Sequence, residues 1–506
     1  MKIAIYQTSD LHGYVYPTNY VDYQELGILK IASFIQNDEK NYDHSLKIDT
    51  GDLTQGSAMT HYLSKQNITQ NPIVNLLDKV SFDAFVIGNH EFNYGLDYLK
   101  NSYKQVEDKI LNSNIKGLPL KSKPYEIFNF DGYRIAVVGA TTVFIPNWEQ
   151  ASTIEGMEFL DPIETFKSFE DEVVKNSDLV IYAYHGGFEK SIDGMNTPTE
   201  KLTKENQASE ILENFTSIDI LLSGHQHRSF ITKLNEVICA QPINNGGNFT
   251  KIVVDTQTLE ITYELIDVES LGQTINPELE EDFTKLNEDL EVYLDTKIGE
   301  FSEDILMYDL FEARLHSHPF INFIHDVQLD ISHADFSSIC IFDTAKGFEK
   351  EVTIRDVLIN YPYPNTLKVL EISGHKLKEA IEISATYFVL DDTGSITINR
   401  DFLVPKIQNY NYDLYRGLDY IIDISRPFGD RVISMTKDGI ELDLDANYTI
   451  VLNNYRATNT SKYPAYENAK LIKDINMDMS EIIINYFEKY GKIQIKSDSN
   501  FKVIGF

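Results

Sequence analysis

The first 265 residues alternate short runs of β-branched apolar residues with helical stretches, and this alternation limits the folds open to the chain. The candidate strands are KIAIYQTSD, SLKIDTGD, DAFVIGNHE, RIAVVGATT, DLVIYAYHGG and IDILLSGHQH. Helical patterns such as GILKIASFIQND and PIVNLLDKV fall between them. Apolar strands separated by helices indicate sheets that are covered on both faces, as in layered α/β proteins.

A change in the pattern near residue 276 predicts a second domain. A chain of 506 residues exceeds what one hydrophobic core usually holds. We expect a first domain over 1–270, a connector over 271–299 and a second α/β domain over 300–506. The connector is predicted to be a helix that begins near Pro277 and ends at Gly299, because its apolar residues recur every three or four positions. These residues are Leu279, Phe283, Leu286, Leu290 and Leu294.

The formal net charge of −34 excludes several classes of partner. Binding to a DNA or RNA polymer needs clustered Lys and Arg, and so does binding to an anionic membrane. A small anionic substrate remains possible if a local cation reverses the field. No obligate protein partner is evident from the sequence.

The cysteines and the N-terminus predict a cytoplasmic chain. Cys239 and Cys340 are far apart and flanked by apolar residues, so we expect reduced core thiols. Few apolar residues precede Asp10, too few for the core of a signal peptide. A run of about 18 apolar residues, as a membrane span requires, is also missing.

Polar side chains that can bind a metal stand at the ends of five candidate strands, and most are followed by glycine. Ligands in layered α/β proteins gather at the carboxyl ends of strands. Oxygen from Asp and Asn with nitrogen from His suits hard or borderline divalent cations such as Mn, Zn, Co or Fe. The candidate ligands are Asp10, His12, Asp52, Asn89, His185, His225 and His227.

This set of ligands predicts two metal ions. It is too large for one tetrahedral site, but one bridging carboxylate would divide it into four and four, with an open position on each metal. An isolated D-x-H or G-H-x-H is more often structural, and so is a lone His at a strand end. The occurrence of all five motifs, each at a strand end, favours a metal centre.

The motifs D-x-H, G-D, G-N-H-E, H-G-G and G-H-x-H, in this order, resemble the calcineurin-like metallophosphoesterases. In the second half, LYRGLDYIIDISRP, YPNTLKVLEISG and LNNYRA resemble the C-terminal domain of 5'-nucleotidases. GNHEFNYGLDYL with NYNYDL and NNYRA is most similar to the 2',3'-cyclic-nucleotide 2'-phosphodiesterase/3'-nucleotidase branch. The resemblance implies a four-layer αββα domain, a connector helix and an α/β substrate-specificity domain.

The resemblance also implies a role for each candidate residue. Asp10, His12 and His227 would hold one metal, and Asn89, His185 and His225 would hold the second, with Asp52 as the bridge. Two such metals polarise a phosphate and supply a hydroxide at neutral pH.

His90 would not bind metal but would face the substrate and stabilise or protonate the departing ribose oxygen. Residue 93 is an aspartate in the 5'-nucleotidase branch, where it pairs with this histidine. Here Asn93 can orient the ring by a hydrogen bond but contributes no charge of its own. His90 and Asn93 are therefore the candidate catalytic pair, without the strict acid–base dyad.

The second half is rich in tyrosine, and most of these side chains are expected to be packing residues. The resemblance singles out Tyr410 and Tyr455 as residues that stack on the nucleobase, with Asn365 nearby. The pair His316 and His318 has no matching ligands close in sequence, and we favour a helix start over a second metal centre.

The resemblance thus implies a metal-dependent hydrolase that converts 2',3'-cyclic nucleotides to 3'-nucleotides and then to nucleosides. One alternative is a 5'-nucleotidase or nucleotide-sugar hydrolase on the same scaffold. A second alternative is a nucleotide-binding protein without catalysis. The intact set of candidate metal ligands speaks against it, because a site that has lost its activity usually loses metal ligands first.

Overall fold

The structure is a computed structural model that describes residues 1–149, 151–193, 196–199, 202–361, 365–404, 407–458, 462–475 and 477–505. The chain forms two compact units, Met1–Glu291 and Val292–Phe506. The boundary between them falls near the end of the helix Pro277–Leu294.

The first unit contains two six-stranded sheets. In the first sheet, four parallel strands are extended on one side by two antiparallel strands. The order across this sheet is Glu260–Asp267, Asn248–Asp255, Lys2–Thr8, His44–Asp49, Ala84–Val86 and Ile110–Leu111.

The second sheet has four parallel strands with one antiparallel strand at each edge. Its order is Phe230–Leu234, Val237–Gln241, Ile220–Ser223, Leu179–His185, Tyr133–Thr141 and Tyr125–Phe130. The candidate strands named from the sequence all belong to these two sheets, as predicted.

The two sheets pack face to face through a shared apolar layer. Ile5 and Ile48 from the first sheet lie in one buried cluster with Val137 and Ile181 from the second. Burial of side chains of this size stabilises the fold by about 1.5–3 kcal/mol each. The layer therefore fixes the two sheets against each other.

Helices cover the outer face of each sheet. Phe34 on the helix Ile28–Asp38 packs against Phe249 of the first sheet, with ring centroids 5.4 Å apart. On the outer face of the second sheet, Phe166 packs against Tyr182 at 5.1 Å. The unit is thus the four-layer αββα arrangement that the resemblance implied. Its α-helices are Ile28–Asp38, Ala58–Ser64, Pro72–Lys79, Leu96–Tyr103, Pro162–Lys167, Glu170–Asn176, Ala208–Asn214 and Pro277–Leu294.

The connector helix begins at Pro277, as predicted, but the predicted end at Gly299 is wrong. The helix ends at Leu294, and Lys297–Phe301 is a strand that pairs with Glu351–Thr353. Gly299 is needed for packing, since a Cβ on it would lie 2.4 Å from the ring of Phe487. The predicted apolar positions of the helix are buried or half-buried.

The second unit is also α/β, around one large apolar core. Its main sheet has the order Asp413–Arg416, Phe336–Cys340, Asn447–Asn453, Leu367–Ser373 and Lys470–Ile475. A four-stranded sheet has the order Ile440–Glu441, Val432–Lys437, Asp419–Asp423 and Phe501–Ile504. A three-stranded sheet has the order Glu351–Thr353, Lys297–Phe301 and Lys492–Ile493. The α-helices are Leu310–His316, Pro319–Ser332, Ile354–Asn360, Gly374–Ser384, Asn454–Thr458 and Met479–Tyr490.

Two smaller predictions are confirmed. Both cysteines are free and buried. His318 is the N-cap of the helix Pro319–Ser332, where its Nδ1 accepts a hydrogen bond from the Phe320 amide, and His316 ends the preceding helix with an exposed side chain.

Across the described residues, no helix has the length and apolar character needed to cross a bilayer. The compartment in which the chain works stays a prediction from the sequence.

Candidate metal centre

The carboxyl ends of the parallel strands of both sheets meet at one edge of the first unit. Gln7, near the end of the first strand, donates a hydrogen bond of 2.9 Å to the carbonyl of Ser223 in the other sheet. The amide of His225 donates to Asp10 at 3.0 Å. These bonds join the two sheets where the candidate ligands stand.

The first group of candidate ligands is Asp10, His12 and His227. The Nε2 atoms of the two imidazoles lie 3.1 Å apart, and His227 Nε2 is 3.4 Å from Asp10 Oδ1. Asp10 and His12 are buried, whereas His227 is half-buried. The ligand atoms therefore converge on one small volume with access on the side of His227.

A backbone contact sets the coordinating nitrogen of His12. Its Nδ1 is 2.7 Å from the carbonyl of Gln55, which can only accept, so Nδ1 carries the hydrogen. Burial, together with the charge of His227, lowers the pKa of His12 to about 4. Near neutral pH the ring is thus neutral, with its Nε2 lone pair directed at His227 and available to a metal.

The second group contains Asp52, His185 and His225, with Asn89 beside them. His185 Nε2 is 3.1 Å from both Asp52 Oδ2 and Asn89 Oδ1, and His225 Nδ1 is 2.8 Å from the same Asn89 oxygen. His185 Nδ1 donates to the carbonyl of Thr50 at 2.6 Å. Its Nε2 therefore faces two oxygens that can only accept, an arrangement that a cation would satisfy.

The electrostatics of this group favour positive charge. Burial alone would lower the pKa of His185, but the Asp52 carboxylate reverses this and raises it to about 10. Burial likewise opposes ionisation of Asp52, yet His185 and His90 hold the pKa of its carboxyl well below the ordinary value. Asp52 Oδ2 is buried, and its near neighbours are two ring nitrogens, His185 Nε2 at 3.1 Å and His90 Nε2 at 3.9 Å. The carboxylate and amide oxygens and the imidazole nitrogens that converge here fit a divalent cation.

The backbone at the site is strained. Left-handed φ angles are rare for residues other than glycine and cost roughly 1–3 kcal/mol each. They occur at candidate ligands from three different loops, with φ between 48° and 71°. Strain of this kind persists where the surrounding structure imposes a functional geometry. The residues concerned are Asp10, His12, Asp52, His225 and His227.

Glycines permit the close approach of the loops. A Cβ on Gly88 would lie 2.3 Å from Asp52 Oδ1, and one on Gly224 would lie 2.8 Å from Asp10 Oδ2. Alanine at either position would therefore displace a candidate ligand.

Glu91 joins two ligand loops. Its buried carboxylate accepts hydrogen bonds from the amides of Asp52, Leu53 and Thr54 in one loop and of Gly88 in the other, over 2.7–3.1 Å. This explains the Glu of the G-N-H-E motif, to which the sequence reasoning gave no role. The carboxylate fixes the position of Asp52 relative to Asn89.

Glu205 is a second residue that sequence reasoning missed. Its Oε1 lies 3.2 Å from His225 Nε2, the ring nitrogen opposite the one that faces Asn89. A carboxylate in this position places the hydrogen on Nε2 and leaves Nδ1 as the ligand atom. Glu205 stands in a loop without a motif, so no signal in the sequence could have identified it.

His90 lies at the border of the two groups without belonging to either. Its Nε2 is 3.9 Å from Asp52 Oδ2, and its ring centroid is 5.5 Å from that of His12. Its Nδ1 is 2.7 Å from Asn93 Oδ1, the contact expected from the sequence. Asn93 Nδ2 in turn donates to Glu149 Oε1 at 2.5 Å, so a carboxylate stands one residue further from the ring.

The candidate base-binding residues all belong to the second unit. Arg456 connects the segments of both tyrosines, because it follows Tyr455 in the helix Asn454–Thr458 and donates to the carbonyl of Tyr410 at 3.0 Å. Tyr455 is 39% exposed. Asn365 lines a small cavity of about 10 Å³ with Cys340, too small for a nucleobase. Tyr363 and Pro364 of the YPN motif lie outside the described residues.

Each half of the chain matches a protein-family model. Residues 3–229 match the model of the calcineurin-like phosphoesterases, and residues 297–468 match that of the 5'-nucleotidase C-terminal domain. The first match contains every candidate metal ligand, and the second contains every candidate base-binding residue.

Two curated relatives align with almost the whole chain. One is a 2',3'-cyclic-nucleotide 2'-phosphodiesterase/3'-nucleotidase of Haemophilus influenzae, 24% identical over 100% of this chain and 88% of the relative. The other is the trifunctional nucleotide phosphoesterase protein YfkN of Bacillus subtilis, 21% identical over 99% of this chain. The chain spans only 39% of the length of that second protein.

Solved structures give the same fold. A Staphylococcus aureus protein, described as a candidate 5'-nucleotidase in complex with alpha-ketoglutarate, is 37% identical, with a TM-score of 0.89 and coverage of 100% of both chains. A 5'-nucleotidase precursor from Thermus thermophilus is 18% identical, with a TM-score of 0.65, and covers 100% of this chain and 99% of its own.

Proposed function

Because the chain belongs to the calcineurin-like phosphoesterases that carry a 5'-nucleotidase C-terminal domain, we propose that it hydrolyses 2',3'-cyclic nucleotides and the resulting 3'-nucleotides with two divalent metal ions. Nucleotide phosphoester hydrolysis in general is supported by relatives of both the cyclic-phosphodiesterase and the 5'-nucleotidase type.

The convergence of candidate ligands from both sheets around Asp52 carries this proposal. Asp10, His12 and His227 would hold one metal, and Asn89, His185 and His225 the other. Asp52 would be shared, since its Oδ2 lies 3.1 Å from His185 Nε2 of the second group and its charge also acts on His12 of the first group. When bound, two such ions polarise phosphoryl oxygens and lower the pKa of water.

The chain's own residues would complete the chemistry. Asn89 is a neutral donor, so the cluster keeps more positive charge for an anionic phosphate than a third carboxylate would leave. His90 stands beside the ligands with 29% of its side chain exposed, and from there it would deliver a proton to the departing ribose oxygen. Tyr410 and Tyr455 would stack on the base, a contact worth roughly 1–3 kcal/mol.

A 5'-nucleotidase is the second candidate function. It is favoured by the Staphylococcus aureus protein, which has higher identity to this chain than the Haemophilus influenzae relative. Asn93 at the position of the aspartate in the 5'-nucleotidase branch favours the cyclic phosphodiesterase instead.

A substrate panel separates these functions. The full chain is assayed with 2',3'-cAMP, 3'-AMP, 5'-AMP and UDP-glucose, each in Mn²⁺, Zn²⁺, Co²⁺, Fe²⁺ and Mg²⁺. We expect the highest kcat/KM for 2',3'-cAMP, with 3'-AMP as its product. A preference for 5'-AMP or UDP-glucose would contradict the cyclic phosphodiesterase and favour the 5'-nucleotidase type instead. Binding of nucleotides without turnover in any metal would exclude both.

A further inference from the structure

Asn93 connects His90 to a carboxylate that belongs to a different segment of the chain. Asn93 Oδ1 lies 2.7 Å from His90 Nδ1, and Asn93 Nδ2 lies 2.5 Å from Glu149 Oε1. Both contacts are hydrogen bonds, and in the second Asn93 Nδ2 is the donor, since an amide nitrogen cannot accept. Three side chains thus form one continuous chain of hydrogen bonds.

The segment that carries Glu149 is anchored at the metal centre. The amide of Glu149 donates to the carbonyl of Ile145 at 3.0 Å. The preceding residue, Trp148, packs on the ring of His225 with centroids 5.3 Å apart. Glu149 is half-buried, so its carboxylate is held in place rather than free in solvent.

We propose that Glu149 is a positioning residue that sets the tautomer of His90 through Asn93. The inference rests on the proposed function only for its catalytic consequence. An ionised carboxylate accepts hydrogen bonds and donates none, so Glu149 requires the Nδ2 side of the Asn93 amide to face it. The Oδ1 side is then presented to His90, and its ring must place the hydrogen on Nδ1.

The tautomer of His90 decides whether Nε2, the nitrogen that faces Asp52, can accept a proton. With the hydrogen on Nδ1, the neutral ring keeps a lone pair on Nε2, which can take up a proton and pass it to a leaving oxygen. Without Glu149, the Asn93 amide can rotate by half a turn and present Nδ2 to the ring. The hydrogen would then move to Nε2. Glu149 therefore supplies at a distance the orientation that an aspartate at position 93 would supply directly.

The tautomer can be measured without reference to turnover. The side-chain nitrogens of ¹⁵N-labelled histidine are recorded in the Zn²⁺-loaded protein, about two pH units above the ordinary histidine pKa of about 6.5. The His90 signals are assigned by their loss in His90→Gln. We expect hydrogen on Nδ1 in the unmodified protein and a shift toward Nε2 in Glu149→Leu. Glu155→Leu, an exposed position in the following turn, is the matched control and should leave the signals unchanged.

Kinetics provide the second measurement. For the best nucleotide of the substrate panel, Glu149→Leu should lower kcat by roughly 10-fold or more with KM unchanged, because only the proton transfer is impaired. Hydrolysis of p-nitrophenyl phosphate, whose leaving group needs no proton, should fall less.

An exchange of the two side chains distinguishes positioning from packing. Asn93→Asp alone places two carboxylates against each other and should lower kcat. Adding Glu149→Gln to Asn93→Asp removes the repulsion and should restore much of the lost rate. An unchanged His90 tautomer in Glu149→Leu, or a double variant no better than Asn93→Asp, would overturn the proposal. If the protein hydrolysed no phosphoester, the proposed function would fail, but the tautomer would still decide the role of Glu149.

Discussion

Glu205 Oε1 lies 3.2 Å from Nε2 of His225, on the side of the ring opposite the Asn89 oxygen. The contact with Glu205 places the hydrogen of His225 on Nε2 and leaves Nδ1 free for a metal. The carboxylate also makes Nδ1 a stronger metal ligand. The geometry of the second group of ligands thus depends on a residue from a loop outside the strand ends.

Replacing Glu205 should weaken metal binding without unfolding the protein. We expect Glu205→Ala to lower metal affinity by about 10–100-fold, the usual effect of losing the partner of a ligating histidine. Competition with a fluorescent chelator measures this. Glu213→Gln, a substitution on the surface helix Ala208–Asn214, is the control. Equal affinity in Glu205→Ala and Glu213→Gln would contradict the role of Glu205.

The convergence of the candidate ligands could be predicted from the sequence because each stands at the end of a recognisable strand. Parallel strands carry their carboxyl ends to one edge, so local patterns were enough to bring Asp10, Asp52 and His185 together. Glu205 and Glu149 could not be predicted in this way. They reach the site through long-range contacts of irregular segments, which have no periodicity.

The end of the connector helix shows a different limit of the sequence. Glycine commonly follows the last helical turn, so Gly299 in the sequence predicts the end of a helix. Its actual role is to accommodate Phe487, which is distant in sequence. A glycine required for tertiary packing and one required for a cap look alike in a single sequence.

Removing His90 should slow nucleotide turnover strongly but leave metal binding intact. In His90→Ala we expect kcat for nucleotides to fall by about 10²–10⁴-fold, the usual contribution of a general acid. Hydrolysis of p-nitrophenyl phosphate should fall less, and metal content by atomic emission should be unchanged. His316→Ala removes an exposed histidine of the second unit and serves as the control. A parallel loss on both substrates would indicate substrate positioning instead of proton delivery.

Metal loading should release protons from His185. The pKa of His185 is raised to about 10 by the Asp52 carboxylate, so its ring is protonated at pH 7 before the metal binds. His12, with its pKa lowered to about 4, has no proton to lose at that pH. Since a ligand nitrogen must be deprotonated, about one proton should leave His185 per chain, and metal affinity should rise from pH 7 toward pH 10.

Calorimetric titration at pH 7, in two buffers with different ionisation enthalpies, measures this release. The His185→Gln variant should show less proton release than the unmodified chain. Identical heats in both buffers for the unmodified protein would contradict the protonated state of His185.

Replacing Tyr410 or Tyr455 in the second unit should weaken the binding of nucleotides but not the hydrolysis of simple phosphate esters. Each of Tyr410→Ala and Tyr455→Ala should raise KM for the preferred nucleotide by about 5–150-fold, the loss expected for one base stack of roughly 1–3 kcal/mol. Hydrolysis of p-nitrophenyl phosphate should be unaffected, because it has no base. The Phe variants should retain the nucleotide KM, since the ring remains. If both alanine variants had the same KM for nucleotides as the unmodified chain, the base would not stack on Tyr410 or Tyr455.

In the proposed centre, the strand ends of the two sheets hold a pair of metals bridged by Asp52. Anomalous X-ray scattering from crystals grown with Mn²⁺ tests it most directly. We predict two peaks about 3.5–4 Å apart, one beside His12 and His227 and one beside His185 and His225, with the Asp52 carboxylate between them. A single peak, or two peaks that do not share Asp52, would contradict the account.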